Sequence, residues 1–238
     1  MFKSPGFGVK MAVFEGADMD MDMDTDVDMD MDIEIARGRF LSTADEFEMY
    51  RLRYLVFRER LKWQVDTVGE LELDQFDLCD PVYVIAKQAH QVQGCWRLLP
   101  TTGPYMLKDT FPALLHGRAA PGDEQTWELS RFAVRRGPAR AFGFGSTPMA
   151  MMQQTLAYAQ AHGIARYVTV TTPALERLLK HLNIRYERFG PALQMGIERA
   201  VALSFDTDQC IDAACDKARN DAAASWAPPV AERDLACA

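Results

Sequence analysis

Between Trp127 and Val134 the chain reads Trp-Glu-Leu-Ser-Arg-Phe-Ala-Val. Aromatic and β-branched residues, with Gly and Pro close on either side, predict a strand. Glu128 and Arg131 lie inside that apolar run, and a charge is rarely buried unless it is paired or acts on a ligand. The anomaly recurs upstream. Arg97 sits in Gly-Cys-Trp-Arg-Leu-Leu (94–99), Asp74 and Asp77 flank Phe76 in Leu-Asp-Gln-Phe-Asp, and Arg53 lies on an amphipathic helix. Three arginines and three carboxylates in apolar settings predict one shared internal electrostatic cluster. A core held by packing alone has no need of one.

Hydrophobic periodicity supplies the elements that must converge there. A short strand is predicted at 33–36. Thr43 and Glu46 have the spacing of a capping box for a helix reaching about Trp63. An acidic loop follows over 64–81, then a strand pair at 81–87 and 92–99. The stretch 100–126 is rich in Pro, Gly and Thr, and the strand at 127–134 comes after it. A helix at 146–162, a strand at 167–171, a helix from Pro173 to Leu182 and a closing strand at 196–205 complete the pattern. Strands interleaved with helices predict an α/β fold. The tight turn between the first strand pair makes the sheet mixed.

Charge divides the chain unevenly. Eight aspartates alternate with other residues over 18–32, and the 34 acidic residues less these eight leave 26, matching the 26 basic ones. The globular part is thus formally neutral. Like charges at that density favour an extended, solvated segment. An EF-hand reading fails, because counting from Asp20 puts Thr25 and Met31 where Gly and Glu are required. Residues 1–32 are therefore expected to be a disordered extension, 33–205 the working domain and 206–238 a loosely packed tail. No apolar run reaches the roughly 18 residues of a membrane span. Nor does the N-terminus offer a signal peptide, so a cytoplasmic protein is expected. The five cysteines have neither disulfide nor zinc spacing. No metal site is expected, and Cys79 and Cys95 read as packing residues.

The motifs resemble a known family. Arg140-Ala-Phe-Gly-Phe-Gly145, between a strand and a helix, is similar to the pyrophosphate loop of Gcn5-related N-acyltransferases. Arg53, Phe57 and Trp63 in Arg-x3-Phe-x5-Trp, then Asp74, Asp77, Arg97, Phe111, Glu128 and Arg131, resemble the signature positions of the acyl-homoserine-lactone synthases of the LuxI type. The runs 101–108, 168–172 and 188–203 look like the LasI branch. The resemblance covers about 31–205.

It implies a single-domain, three-layer αβα sandwich with a mixed sheet, as in the Gcn5-related enzymes. It also implies acyl transfer from acyl carrier protein to the amine of S-adenosylmethionine, followed by lactonisation and loss of methylthioadenosine. S-adenosylmethionine is then a substrate, and no cofactor is expected. An acetyl-CoA-dependent N-acetyltransferase, or a non-catalytic binding protein of the same fold, remains as an alternative. In this reading Glu128 is the base. Asp74 and Asp77 hold the ammonium or complete the ion network. Arg53, Arg97 and Arg131 keep the carboxylates ionised, with Arg53 also meeting the substrate carboxylate. Phe57 and Trp63 cover the adenosine and sulfonium, while Phe111, Ser130 and Phe132 line the site. Thr169 or Thr171, on one face of their strand, is expected to donate to a 3-oxo acyl group. Thr169→Val is the substitution expected to reveal it. An acidic carrier protein needs a basic landing site, for which Arg135, Arg136 and Arg140, or Arg177, Lys180, Arg185 and Arg188, are candidates. Arg177 and Lys180 are the pair expected to dock it.

Overall fold

A computed structural model describes residues 31–89, 91–135, 146–181 and 184–210. The Asp-rich stretch up to residue 30, most of the expected C-terminal tail, and Arg136 through the Arg140–Gly145 loop lie outside the described residues. Among the described residues there are ten strands: β1 (Asp32–Arg37), β2 (Thr67–Val68), β3 (Leu71–Glu72), β4 (Val82–Gln88), β5 (Gln91–Pro100), β6 (Thr126–Val134), β7 (Arg166–Thr171), β8 (Glu187–Arg188), β9 (Leu193–Met195) and β10 (Glu198–Asp206). The helices are α1 (Thr43–Arg53), α2 (Met106–Asp109), α3 (Ser146–His162) and α4 (Pro173–His181).

The main sheet runs β1-β4-β5-β6-β7-β10-β8, with β9 also on β10. Only the β6–β7 pairing is parallel; the other described pairings are antiparallel. The layers follow from strand alternation. Along β4, Tyr83 and Ile85 pack with Met49 and Leu52 of α1. Val82, Val84 and Ala86 point the other way, into a core shared with Met151, Met152 and Leu156 of α3 and Leu179 of α4. The sheet is therefore covered by α1 on one face and by α3 and α4 on the other, as the three-layer expectation required. A Cβ on Gly94 of β5 would stand 2.7 Å from the Met151 sulfur, so a larger residue there would make the Met151 side chain of α3 shift. No described helix is long and apolar enough to cross a membrane.

Three local features depart from the periodicity. The cap of α1 is Ser42, whose hydroxyl accepts from the Asp45 N–H at 3.0 Å, one residue ahead of the expected Thr43–Glu46 pair. After Arg53 the helix widens into a π-turn over Tyr54–Arg60. The expected loop at 64–81 instead holds the β2–β3 hairpin and a 3-10 helix, Gln75–Cys79. Of the two cysteines expected to pack, Cys95 is buried, which pushes its thiol up to about 12, whereas Cys79 is exposed at the end of that 3-10 turn.

Candidate active site

Two irregularities in β6 create the site. Its parallel pairing with β7 stops at Leu129↔Thr169, although both strands continue. Beyond that point the sheet is split. On the other edge, Cys95 pairs with Ala133 and Arg97 with Ser130, so Arg131 and Phe132 stand opposite Trp96 alone. This is a bulge, and Arg131 takes the left-handed φ of 56° that produces it. The consequence is directional. Glu128 and Ser130 face the α1 side by ordinary alternation, and the bulge sends Arg131 there too. Phe132 is turned to the α3 side, where its ring meets Trp96 edge-on at 4.9 Å. A non-glycine residue in this conformation costs about 1–2 kcal/mol, which the ion pairs of Arg131 offset.

Those pairs belong to a cluster on the α1 side. Arg53 donates through Nε to Glu72 Oε2 at 2.5 Å, and through Nη1 and Nη2 to Asp77 at 2.8 and 2.9 Å. Arg97 reaches Asp74 Oδ1 at 2.6 Å, Asp77 Oδ1 at 2.7 Å and the Ser130 hydroxyl at 3.1 Å. Arg131 donates to Glu72 Oε1 at 2.9 Å and contacts Asp74 Oδ2 at 2.8 Å. Asp77 also accepts from the Tyr83 hydroxyl at 2.6 Å and the Asp74 N–H at 2.7 Å. Three guanidinium groups thus meet three carboxylates, with every partner at least nearly sealed. Burial alone would raise the Asp77 carboxyl, but Arg53 and Arg97 outweigh it and hold Asp77 well below the usual carboxylate range.

The composition of the cluster corrects the expectation. Its third carboxylate is Glu72, fully buried, and not Glu128. Glu72 lies between Leu71 and Leu73, the same charge-in-apolar-run signal that exposed the others, inside a stretch that read as an acidic loop. Glu128, also fully buried, makes no ion pair among the described residues. Its two oxygens accept the backbone N–H groups of Met106 and Leu107 at 2.9 and 2.6 Å, at the start of α2. Burial pushes its pKa up to about 7, against those two donors and the nearby Arg97 and Arg131.

A cavity of about 1910 Å³ opens at the split in the sheet, and its wall takes residues from both faces. On the α1 side are Phe57, Trp63, Asp74, Phe111, Glu128, Ser130 and Arg131; on the α3–α4 side are Phe132, Thr169, Thr171 and Arg177. The Phe57 and Trp63 rings stack at 5.3 Å between centroids, and the Arg131 guanidinium lies 5.6 Å from the Phe57 ring centre. Trp63 Nε1 is buried without a hydrogen-bond partner.

Four sequence-predicted residues are not on this wall. Arg53, Asp77 and Arg97 stand behind it; Arg53, at 0% exposure and spent on Glu72 and Asp77, has no edge left for a substrate carboxylate. Lys180 is on the exposed surface of α4, 6.0 Å from the centre of the Tyr186 ring. The threonines differ in a way alternation could not reveal. Thr169 donates its hydroxyl to the Leu129 carbonyl at 2.8 Å, whereas the Thr171 hydroxyl is buried without a partner. The free hydroxyl is therefore that of Thr171, not Thr169. Arg188 drops out of the free basic set, because Nε and Nη2 both bind the buried Glu176 carboxylate.

Comparison with known proteins gives this geometry a family. Residues 39–214 match the model of the autoinducer synthase family. A curated acyl-homoserine-lactone synthase of Pseudomonas aeruginosa is 44% identical over 162 residues, covering 67% of this chain and 81% of that protein. The crystal structure of the AHL synthase LasI superposes with a TM-score of 0.70 at 42% identity, over 75% of this chain and 91% of that one. A CoA-dependent acyl-homoserine lactone synthase, BjaI, solved with SAM and isopentyl-CoA, gives a TM-score of 0.70 at 25% identity, over 79% and 89%. The fold alone is shared with a putative N-acetyltransferase from Lactobacillus plantarum, with a TM-score of 0.52 at 15% identity over 74% and 98%. The chain belongs to the autoinducer synthase family, the acyl-homoserine-lactone synthases.

Proposed function

We propose that this synthase takes its acyl group from acyl carrier protein and transfers it to the amine of S-adenosyl-L-methionine. Glu128 removes a proton from the substrate ammonium, directly or through one water; a carboxyl titrating near neutrality suits that task. The freed amine attacks the thioester carbonyl, the amide forms, and the carrier thiol leaves. A substrate carboxylate oxygen then attacks the methylene beside the sulfonium. The new C–O bond closes the lactone as the C–S bond breaks, and 5'-methylthioadenosine departs with the electron pair. This step is intramolecular, so holding the carboxylate in line is the main requirement. Arg131, at the cavity wall, is the guanidinium suited to meet that carboxylate, with Asp74 beside it for the ammonium. The stacked faces of Phe57 and Trp63 suit the sulfonium. S-adenosylmethionine is a substrate, and no cofactor enters the scheme.

The observation that carries the donor assignment is the surface of α4. Arg177 and Lys180 are both exposed and lie three residues apart, on one side of a helix that also borders the cavity. An acidic carrier protein needs such a surface outside the tunnel that receives its acyl arm. Coenzyme A, the donor named for BjaI, is the competing reading. Purified protein given S-adenosylmethionine should release acyl-homoserine lactone faster from acyl-[acyl carrier protein] than from acyl-CoA of the same chain. Arg177→Glu with Lys180→Glu should raise KM for the carrier protein at low salt by a larger factor than KM for acyl-CoA. Faster turnover with acyl-CoA would reverse the assignment.

Thr171 supports a preference for 3-oxo acyl donors. On the α3–α4 side the cavity is lined by Trp96, Phe132, Pro148 and Leu175, so a lone unpartnered hydroxyl there is available to a carbonyl of the chain.

A further inference from the structure

The sulfur of Met106 occupies a position that the reaction scheme leaves unexplained. Arg97 Nη2 and Arg131 Nη1 both point at it, each 3.3 Å from Sδ. The two guanidinium groups also bind Glu72, Asp74, Asp77 and Ser130. The same residue, through its backbone N–H, holds Glu128 Oε2. Met106 therefore touches both cations through its side chain and, through its backbone, Glu128, which has no ion pair among the described residues. A thioether is a weak, uncharged acceptor. It accepts an N–H from each of the two guanidinium groups without adding charge.

We propose that Met106 is a positioning residue: its sulfur receives one N–H from Arg97 and one from Arg131, and so holds both guanidinium groups off the Glu128 carboxylate. The proposal rests on Glu128 being the base. A base locked in an Arg–carboxylate pair gives up proton affinity, since an opposite charge in contact favours the ionised form. The titratable groups that face Glu128 are Arg97 from β5, Arg131 from β6, and Tyr105, ahead of α2. The two arginines are the ones Met106 restrains.

The test follows the Glu128 carboxyl directly, by carbon NMR of protein labelled at glutamate carboxyls, with the resonance assigned by its loss in Glu128→Gln. Met106→Leu removes the acceptor and keeps an apolar side chain. The Glu128 midpoint should fall by about one pH unit, and the acid limb of kcat/KM should move down with it. Met106→Gln returns a neutral oxygen acceptor at similar reach, so midpoint and limb should stay at their wild-type positions. An unmoved midpoint in Met106→Leu, or a Met106→Gln variant displaced like the leucine one, overturns the proposal. If Met106→Leu does not fold, Met106→Gln decides alone: a wild-type midpoint supports the acceptor role and a displaced one refutes it. A rate limb that ignores the Glu128 midpoint in every variant would remove Glu128 as the base, while the midpoint itself still judges Met106.

Discussion

Thr169 and Thr171 share a strand, a face and a residue type, yet their replacement by valine should have opposite effects on stability. Valine keeps the shape and deletes the hydroxyl. At 169 that hydroxyl donates to the Leu129 carbonyl, the last paired position before β6 and β7 part. Its loss removes about 1 kcal/mol, a fall in Tm of about 2–4 °C for a chain of this size. At 171 the hydroxyl is buried and unpaired; burying such a group costs roughly 1–3 kcal/mol. Thr171→Val should therefore raise Tm by about 2 °C or more. Activity separates them again. If Thr171 donates to a 3-oxo group, losing about 1 kcal/mol should lower the preference for 3-oxo over unsubstituted donors about fivefold. The assay is competition between carrier-protein donors of equal chain length, read by mass spectrometry of the lactones, beside a calorimetric melt of each variant. Thr169→Val should leave the product ratio unchanged. A ratio that shifts with Thr169 and not Thr171, or a Thr171→Val protein that melts lower than wild type, would refute the reasoning.

Two further outcomes follow from the buried carboxylates. Asp77→Asn deprives Arg53, Arg97 and Tyr83 of one shared acceptor; leaving buried guanidinium charge uncompensated should cost about 3–5 kcal/mol in urea unfolding, and a loss below 1 kcal/mol would show that the cluster redistributes its charge freely. Glu128, raised from 4.5 to about 7, holds a proton when folded that the unfolded chain releases. Its contribution is fully present below pH 4.5 and is lost as pH rises through about 7, an effect of about 3 kcal/mol. Wild type should therefore lose stability relative to Glu128→Gln from pH 5 to pH 8, and parallel profiles in chemical denaturation would contradict the burial argument.

The cluster was legible because charges in apolar runs are expensive, and Arg53, Asp74, Asp77, Arg97 and Arg131 all carry that mark. Glu72 carries it too, but its two leucine neighbours are too short a run to stand out in an acidic stretch. Glu128 carried the mark and was assigned to the wrong partners, because a buried carboxylate can be satisfied by backbone N–H groups that no side-chain pattern announces. The α/β alternation and the early strand pair followed from periodicity and the three layers from the resemblance, whereas the strand order across the sheet had no sequence signal. Nor did the bulge at Arg131, since one residue in a left-handed conformation leaves no trace in hydrophobicity. The difference between Thr169 and Thr171 was hidden for the same reason: it depends on where the β6–β7 ladder stops, a property of two strands rather than one.

The cavity is divided by the sheet, and the division bears on how such enzymes diverge. The ionic half, to which the proposed scheme assigns the amine and carboxylate chemistry, stands on the α1 side. The apolar half, with Thr171, Leu175 and Pro148, stands on the other. Changes at those three positions touch no member of the cluster, so a lineage can alter its signal one substitution at a time while the reaction is retained. β6 has no such freedom, because its residues alternate between both halves. Adding or removing one residue before the bulge would exchange the faces of Glu128 and Leu129 and cancel both functions together. A change of length in that strand would therefore disturb both halves, whereas a substitution at Thr171, Leu175 or Pro148 disturbs one.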